Sequence, residues 1–189
     1  FPHLWVGLGN PGDTYTRTRH NIGYRAIDFL AGKFVITGKK KLKAGELLEV
    51  RARQVKISMF KPALYMNRSG EAVSQLFSGK GGAWESMVVI HDDLDLELGR
   101  VKIKWKGGDA GHKGIRSLMD KLQTNSFFRI RIGVGRPPEG VDPADYVLTP
   151  FDREEEASLD DVLEKIGEGV ELWLARGTKH AINYLNRRA

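Results

Sequence analysis

The chain contains no cysteine. Disulfides, thiolate metal sites and cysteine nucleophiles are therefore excluded. The composition is compatible with a reducing cytosol. No apolar run approaches the roughly 20 residues of a membrane-spanning helix, and no secretory leader is recognisable in the first residues. The Gly-x-Ser-x-Gly elbow of serine hydrolases does not occur. A hydrolase built from these residues would use water as its nucleophile, with a histidine to activate it. Internal repeats, low-complexity stretches and a clear linker are also missing, so residues 1–189 are expected to form one domain.

What is present points to a globular α/β chain. Hydrophobic residues make up 41% and charged residues 29%, an ordinary balance for a packed core. The net charge is +6 and the pI about 9.5. That surplus favours polyanionic partners such as RNA or DNA, although surface lysines alone would produce it too. Residues 4–8 and 87–90 are short apolar runs, the second of a kind typical of a strand buried on both faces. Residues 47–52 and 55–60 read as a hairpin, and 101–105 and 129–135 as alternating strands. Helical spacing marks 20–34, 67–77 and the stretch through Ile115, Leu118, Met119 and Leu122. Asp152 with Glu155 resembles a capping box opening a long helix through Leu159, Val162, Leu163, Ile166, Val170 and Trp173. The tail 179–189 is basic and compatible with a short helix. Lys39-Lys40-Lys41 and Lys43 read as an exposed basic connection, and 79–82 as a glycine-rich loop. The alternation predicts a mixed central sheet flanked by helices.

Gly7-Leu8-Gly9-Asn10-Pro11-Gly12 matches the glycine spacing of a dinucleotide-binding turn. Its context does not match. Residues 13–19 are polar and loop-like, Asp28 falls inside a helical pattern, and Pro11 removes an amide that a pyrophosphate would need. The glycines are read instead as turning the chain and presenting Asn10. His20 opens the predicted first helix, where the macrodipole favours a neutral imidazole able to accept a proton; a capping or surface role fits the same residue. His91-Asp92-Asp93-Leu94-Asp95 follows a buried strand, at the end of the sheet where open α/β folds place ligands. Either one carboxylate orients His20, or His91 and the aspartates hold a divalent ion. For Asp93, Asp95 and Glu97 an acidic solvated turn is the expectation. Lys102, Lys104, Lys106, Lys113 and Arg116 gather beside a glycine-rich loop and suit phosphates, or simply keep a sheet edge solvated.

Taken jointly and in order, these segments resemble the bacterial peptidyl-tRNA hydrolases. The matching blocks are 7–12, Tyr15, 18–23, Lys61-Pro62, 65–70, 91–96, 111–114 and 129–135. The resemblance implies a cytoplasmic, monomeric enzyme that cleaves the ester between a peptide and the 3′ end of tRNA, with no metal and no cofactor. It implies His20 as acceptor of the attacking water's proton and Asp92 as the group that holds and polarises it. Asn10 would sit beside the substrate carbonyl and help tell a blocked amino group from a free one. Asn67 would bind the peptidyl-tRNA end, Tyr15, Tyr65 and Met66 would line the cleft, and His112 with Lys113 would form its rim. One residue departs from the family's pattern: many relatives carry Asn where Lys113 stands. An amide donates and accepts whereas an ammonium only donates, so Lys113 would suit a tRNA phosphate. Two rival readings stand beside this one: a non-catalytic RNA-binding relative of the same fold, and a metal-dependent hydrolase built on His91 and the nearby aspartates.

Overall fold

In the computed structural model, which describes residues 1–76 and 83–188, the apolar runs of the sequence become the middle of one sheet. Its strands are β1 (Leu4–Gly7), β2 (Val35–Leu42), β3 (Gly45–Ala52), β4 (Val55–Pro62), β5 (Met87–Asp93), β6 (Val101–Trp105) and β7 (Phe128–Gly133). They are arranged as a seven-stranded sheet in the order β2-β3-β4-β1-β5-β7-β6. β1 pairs in parallel with β4 and β5, and β5 in parallel with β7. The two outer parts are antiparallel: β2, β3 and β4 on one side, β6 against β7 on the other. The helices are α1 (Ile22–Lys33), α2 (Ser69–Gln75), α3 (Lys113–Leu122), the single turn α4 (Pro143–Tyr146), α5 (Arg153–Arg176) and α6 (Thr178–Asn186).

The sheet divides the core into two layers. On one face Val88, Ile90, Ile130 and Ile132 pack with Ile27 of α1, Ile166 and Trp173 of α5 and Leu185 of α6. On the other, Val6, Met87 and Val89 pack with Val73 of α2 and Ile115 and Leu118 of α3. The result is a single α/β domain with a mixed sheet between helices, as the alternation of elements predicts. The Asp152–Glu155 capping box is formed: Asp152 Oδ1 accepts from the Glu155 N–H at 2.8 Å, and Glu155 Oε1 accepts from the Asp152 N–H at 3.0 Å. Among the described residues no helix is long and apolar enough to cross a membrane.

Three sequence expectations need correction. Lys39, Lys40 and Lys41 do not lie in a connection; they belong to β2, an edge strand exposed along nearly its whole length. Lysines are common on such edges because they oppose pairing with another chain. β5 does not stop at Ile90: it continues through His91, Asp92 and Asp93, all buried. A run of polar side chains hides this because pairing with β7 extends to Asp93↔Gly133. Helix 20–34 begins two residues late, since Arg19–Asn21 forms a separate 3-10 turn ahead of α1. The expected loop at 79–82 and the end of the helix predicted over 67–77 lie outside the described residues.

The glycine-rich turn after β1 has a packing explanation. A Cβ on Gly7 would lie 2.2 Å from the Gly23 carbonyl oxygen, and one on Gly23 would lie 2.5 Å from the Ile90 carbonyl oxygen. α1 thus crosses the β1–β5 pair at backbone contact, which only glycine permits. Gly23→Ala should cost at least about 1–3 kcal/mol, because backbone rather than a flexible side chain has to move. Denaturant unfolding midpoints measure this, and an unchanged midpoint would show that α1 does not sit so close.

His91 supplies a second prediction. Its Nδ1–H donates to the Asp92 carbonyl at 2.7 Å, while Nε2 is buried with no partner. Burial, helped by the neighbouring His112, pushes its pKa from 6.5 down to about 3. The native state therefore binds fewer protons than the unfolded chain between those values. This contribution to stability is complete above about pH 6.5 and is lost as pH falls toward 3, by up to about 1.4 kcal/mol per pH unit. Thermal melts should hold a constant Tm from pH 8 to 7 and fall below 6.5. His91→Asn should flatten that fall, and an unaltered slope would remove His91 as its cause.

Candidate active site

At the carboxyl ends of β1 and β5, a cavity of about 720 Å³ opens. Its walls include Asn10, His20, Tyr65, Met66, Asn67, Asp92, His112 and Lys113. Val147, Leu148 and the turn α4 close the far side. Segments far apart in the chain thus meet at one place, and each is held there by identifiable bonds.

Asp92 is the centre. Its side chain is 2% exposed and touches two imidazoles. His20 Nδ1 lies 2.8 Å from Oδ2 and 3.0 Å from Oδ1, and His112 Nε2 lies 2.9 Å from Oδ1. Burial alone would raise the Asp92 pKa, but electrostatic attraction to the two imidazoles and their hydrogen bonds outweigh it and hold the carboxyl well below the ordinary carboxylate range. As an anion Asp92 can only accept, so His20 carries its proton on Nδ1 and leaves Nε2 as a lone pair. Nε2 has no partner among the described residues and belongs to a side chain that lines the cavity.

His112 does more than form a rim. It is the N-cap of α3: its Nδ1 accepts from the Gly114 N–H at 3.1 Å and the Ile115 N–H at 3.3 Å. That nitrogen is therefore unprotonated, and Nε2 carries the proton donated to Asp92. The same bonds bear on the metal reading. His20, Asp92 and His112 are the group among the described residues whose ligand atoms cluster closely enough for an ion. A metal on His112 Nε2 would move the ring proton to Nδ1, against two backbone N–H donors. The donor set fits a hydrogen-bonded triad rather than a cation site. His91, offered by the sequence as a ligand, is not in the cluster.

Asn10 is fixed on three sides. Its backbone N–H donates to Asn21 Oδ1 at 2.8 Å and its carbonyl accepts from Asn21 Nδ2 at 2.9 Å. Its side-chain Oδ1 accepts from the Met66 N–H at 2.7 Å. With Oδ1 so engaged, the Nδ2 donor is left for the cavity. Asn21 directly follows His20, so this pair of bonds ties the base to the amide. Met66 contributes its backbone, while its side chain is buried against Leu8 and Gly114. Tyr65 is exposed and sits at φ 50°, a left-handed conformation that costs a non-glycine residue about 1–3 kcal/mol. It turns the chain so that Asn67, itself exposed, faces the cavity.

Two further expectations change, and the one for Lys113 does not. Tyr15 does not line the cavity; it lies half-buried in a separate 3-10 turn, Asp13–Tyr15. Asp93 is no solvated turn residue: it is buried and pairs with Arg131 at 2.7 Å. Lys113, first residue of α3, is exposed at the cavity wall with no ion pair among the described residues.

Sequence reasoning gave no role to Arg19 and gave Glu155 only its place in the capping box. Arg19 is buried, donates to both Glu155 oxygens at 2.7 and 3.0 Å, and lies over the rings of Tyr146 and Phe151. The Arg19 guanidinium holds the Glu155 carboxyl below its ordinary pKa. On either side, the Arg19 N–H donates to the Thr149 carbonyl at 3.1 Å and the His20 N–H to the Val147 carbonyl at 2.8 Å. The His20 turn, the far wall and the start of α5 are therefore bonded to one another. Arg19 is visible in the sequence only as the neighbour of His20, and its partner lies 136 residues away.

The profile of the peptidyl-tRNA hydrolase family matches residues 4–189. The chain is 43% identical over 183 residues to the peptidyl-tRNA hydrolase of Mycolicibacterium smegmatis, covering 96% of both. It is 43% identical over 186 residues to that of Anaeromyxobacter dehalogenans, covering 98% of this chain and 97% of the relative. The crystal structure of peptidyl-tRNA hydrolase from Acinetobacter baumannii matches with a TM-score of 0.90 at 32% identity, over 98% of this chain and 94% of that one. With agreement along nearly the whole length in both sequence and fold, the chain belongs to the peptidyl-tRNA hydrolase family.

Proposed function

We propose that this protein hydrolyses the ester joining a peptide to the 3′-terminal ribose of tRNA, releasing both for reuse. The observation that carries the reading is the His20–Asp92 pair facing the same cavity as the free Nδ2 donor of Asn10. In this reading a water in the cavity gives its proton to His20 Nε2 as its oxygen attacks the ester carbonyl carbon. Asp92 stabilises the imidazolium that forms and keeps the ring in the reactive tautomer. The developing oxyanion takes hydrogen bonds from the side-chain amides of Asn10 and Asn67. The tetrahedral intermediate then collapses, the carbon–oxygen bond to the ribose breaks, and the proton on His20 passes to the leaving ribose oxygen. Peptide acid and tRNA hydroxyl account for all the atoms of ester and water.

An ester is a more reactive acyl group than an amide, so a positioned base and oxyanion donors suffice without a covalent enzyme intermediate. Tyr65 and Met66 form the wall beside Asn67, and His112 keeps Asp92 from turning away from His20. Lys113, with Lys102, Lys104, Lys106 and Arg116 around the start of α3 and the β6 edge, supplies cations for tRNA phosphates. The family resemblance favours action as a monomer, and a substrate that is a by-product of translation favours work in the cytoplasm. The full-length likeness to peptidyl-tRNA hydrolases favours turnover over a non-catalytic RNA-binding role, which could keep the same His20–Asp92 pair.

Hydrolysis of N-acetyl-aminoacyl-tRNA, run beside the unacetylated form, tests this directly. The unaltered protein should cleave the blocked substrate preferentially. His20→Ala should keep the fold, judged by its melting curve, and lose about 10²–10⁴-fold in kcat; full activity in that variant would remove His20 from the mechanism. Asn10→Asp keeps the acceptor for the Met66 N–H but loses the donor and adds a negative charge near the oxyanion. Its kcat should fall about 10²–10³-fold with the fold intact, whereas near-normal turnover would assign Asn10 to structure alone.

A further inference from the structure

The lysines of β2 serve neither the core nor the cavity. β2 is antiparallel to β3, and β3 to β4, so β2 runs in the direction of β4 and β1. Its final residues therefore lie at the end of the sheet where β1 and β5 deliver Asn10 and Asp92. The turn that follows, with Lys43, is tied to the cavity wall: the Ala63 N–H donates to the Ala44 carbonyl at 2.8 Å, two residues before Tyr65. Lys39, Lys40, Lys41 and Lys43 are all exposed.

Their charges are unequally matched. Lys39 pairs with Glu46, and Lys61 of neighbouring β4 pairs with both Glu46 and Asp28. Lys41 stands opposite Glu46, which those two already share. Lys40 and Lys43 have no carboxylate partner among the described residues. Register also spreads the charge over the edge: Lys40 is opposite Leu47, which packs on the α2–α3 side, while Lys39 is opposite Leu48 of the other layer. Blocking edge-to-edge pairing needs only an occasional lysine; here the surplus is concentrated at the site end of the strand. The second basic edge, Lys102 and Lys104 on β6, lies at the opposite side of the sheet. Six inter-strand steps of about 4.8 Å put the two edges about 29 Å apart, with the cavity between them.

We propose that Lys40, Lys41 and Lys43 form a second tRNA contact, binding the sugar–phosphate backbone of the tRNA body while its 3′ end occupies the cavity. This rests on the reading of the protein as acting on peptidyl-tRNA. The contact is sequence-independent, because an ammonium recognises phosphate charge and not base edges. It lies outside the catalytic group, so it acts on affinity and on salt dependence.

Direct binding of deacylated tRNA, followed by fluorescence across a salt series, tests the contact without requiring turnover. Failure of the hydrolysis reading would appear separately, as no cleavage of N-acetyl-aminoacyl-tRNA by the unaltered protein. A combined Lys40→Glu, Lys41→Glu, Lys43→Glu variant should weaken tRNA binding about five- to twentyfold at low salt and reduce the slope of log affinity against log salt by about 2.1–2.7, at about 0.7–0.9 for each of three phosphate contacts. Binding of a short single-stranded oligonucleotide matching the tRNA 3′ end should not change. The corresponding alanine variant, which leaves the edge neutral, should show the same pattern at reduced size and keeps the test valid if charge reversal impairs folding. An unchanged tRNA affinity and salt slope would overturn the proposal and leave the lysines as edge protection. Equal weakening for tRNA and oligonucleotide would also overturn it, since the lysines would then act through the cavity. So would unchanged tRNA binding with weakened binding of an acidic peptide, which would make the edge a peptide contact.

Discussion

A buried carboxylate shared by two imidazoles organises this molecule. An anion at the centre of a sheet is strongly unfavourable unless donors surround it. Asp92 obtains them from His20 and His112. Because it can only accept, it fixes the proton on a particular nitrogen of each ring. For His20 that leaves a lone pair toward the cavity. For His112 it leaves a lone pair toward the first turn of α3, whose backbone donors need one. One carboxylate thus sets the chemistry of the base and the position of a helix. Removing it would leave both rings with an unanswered N–H.

The surrounding fold keeps those groups from relaxing apart. Asn21 is bound twice to the backbone of Asn10, and Asn10 to the backbone of Met66, so base, amide and Tyr65–Asn67 wall are serially linked. Arg19 clamps the other side through Glu155, itself half of the capping box that starts α5. The unfavourable backbone at Tyr65 persists because those bonds hold both flanks. On the α3 side, Arg129 donates to the Gly107 and Gly108 carbonyls beneath the loop that leads to His112. Arg129 is itself buried, so these two bonds make its guanidinium a brace inside the protein, and that burial lowers its pKa.

Much of the fold was readable in the sequence, where local pattern and final burial agree. The run before His91, the alternation of 101–105 and the Asp152–Glu155 box each state their own structure within a few residues. The failures share a cause. In β2 and at the end of β5, lysines, a histidine and aspartates occupy strand positions because neighbouring strands accept their backbones, and no property of those residues announces it. At the site, the glycine-rich turn, His20, Asp92 and the two asparagines were recognisable as a set through family resemblance. Their convergence depends on topology: β1 and β5 are adjacent although paired positions such as Leu4 and Met87 are 83 residues apart in the chain. Tyr15 was misplaced because a motif's proximity in sequence does not carry around the 3-10 turns that follow Pro11. The Arg19–Glu155 pair was passed over because a salt bridge across the chain has no local signature.

The tautomers of the two histidines provide the most direct test of the central claim. Nitrogen-15 NMR of histidine-labelled protein at pH 8, with resonances assigned by single substitutions, reports which ring nitrogen carries the proton. The account predicts an Nδ1–H tautomer for His20 and an Nε2–H tautomer for His112 in the same sample. An Nε2–H tautomer at His20 would contradict it, because the nitrogen facing the substrate would then be a donor with no lone pair to accept a proton from water.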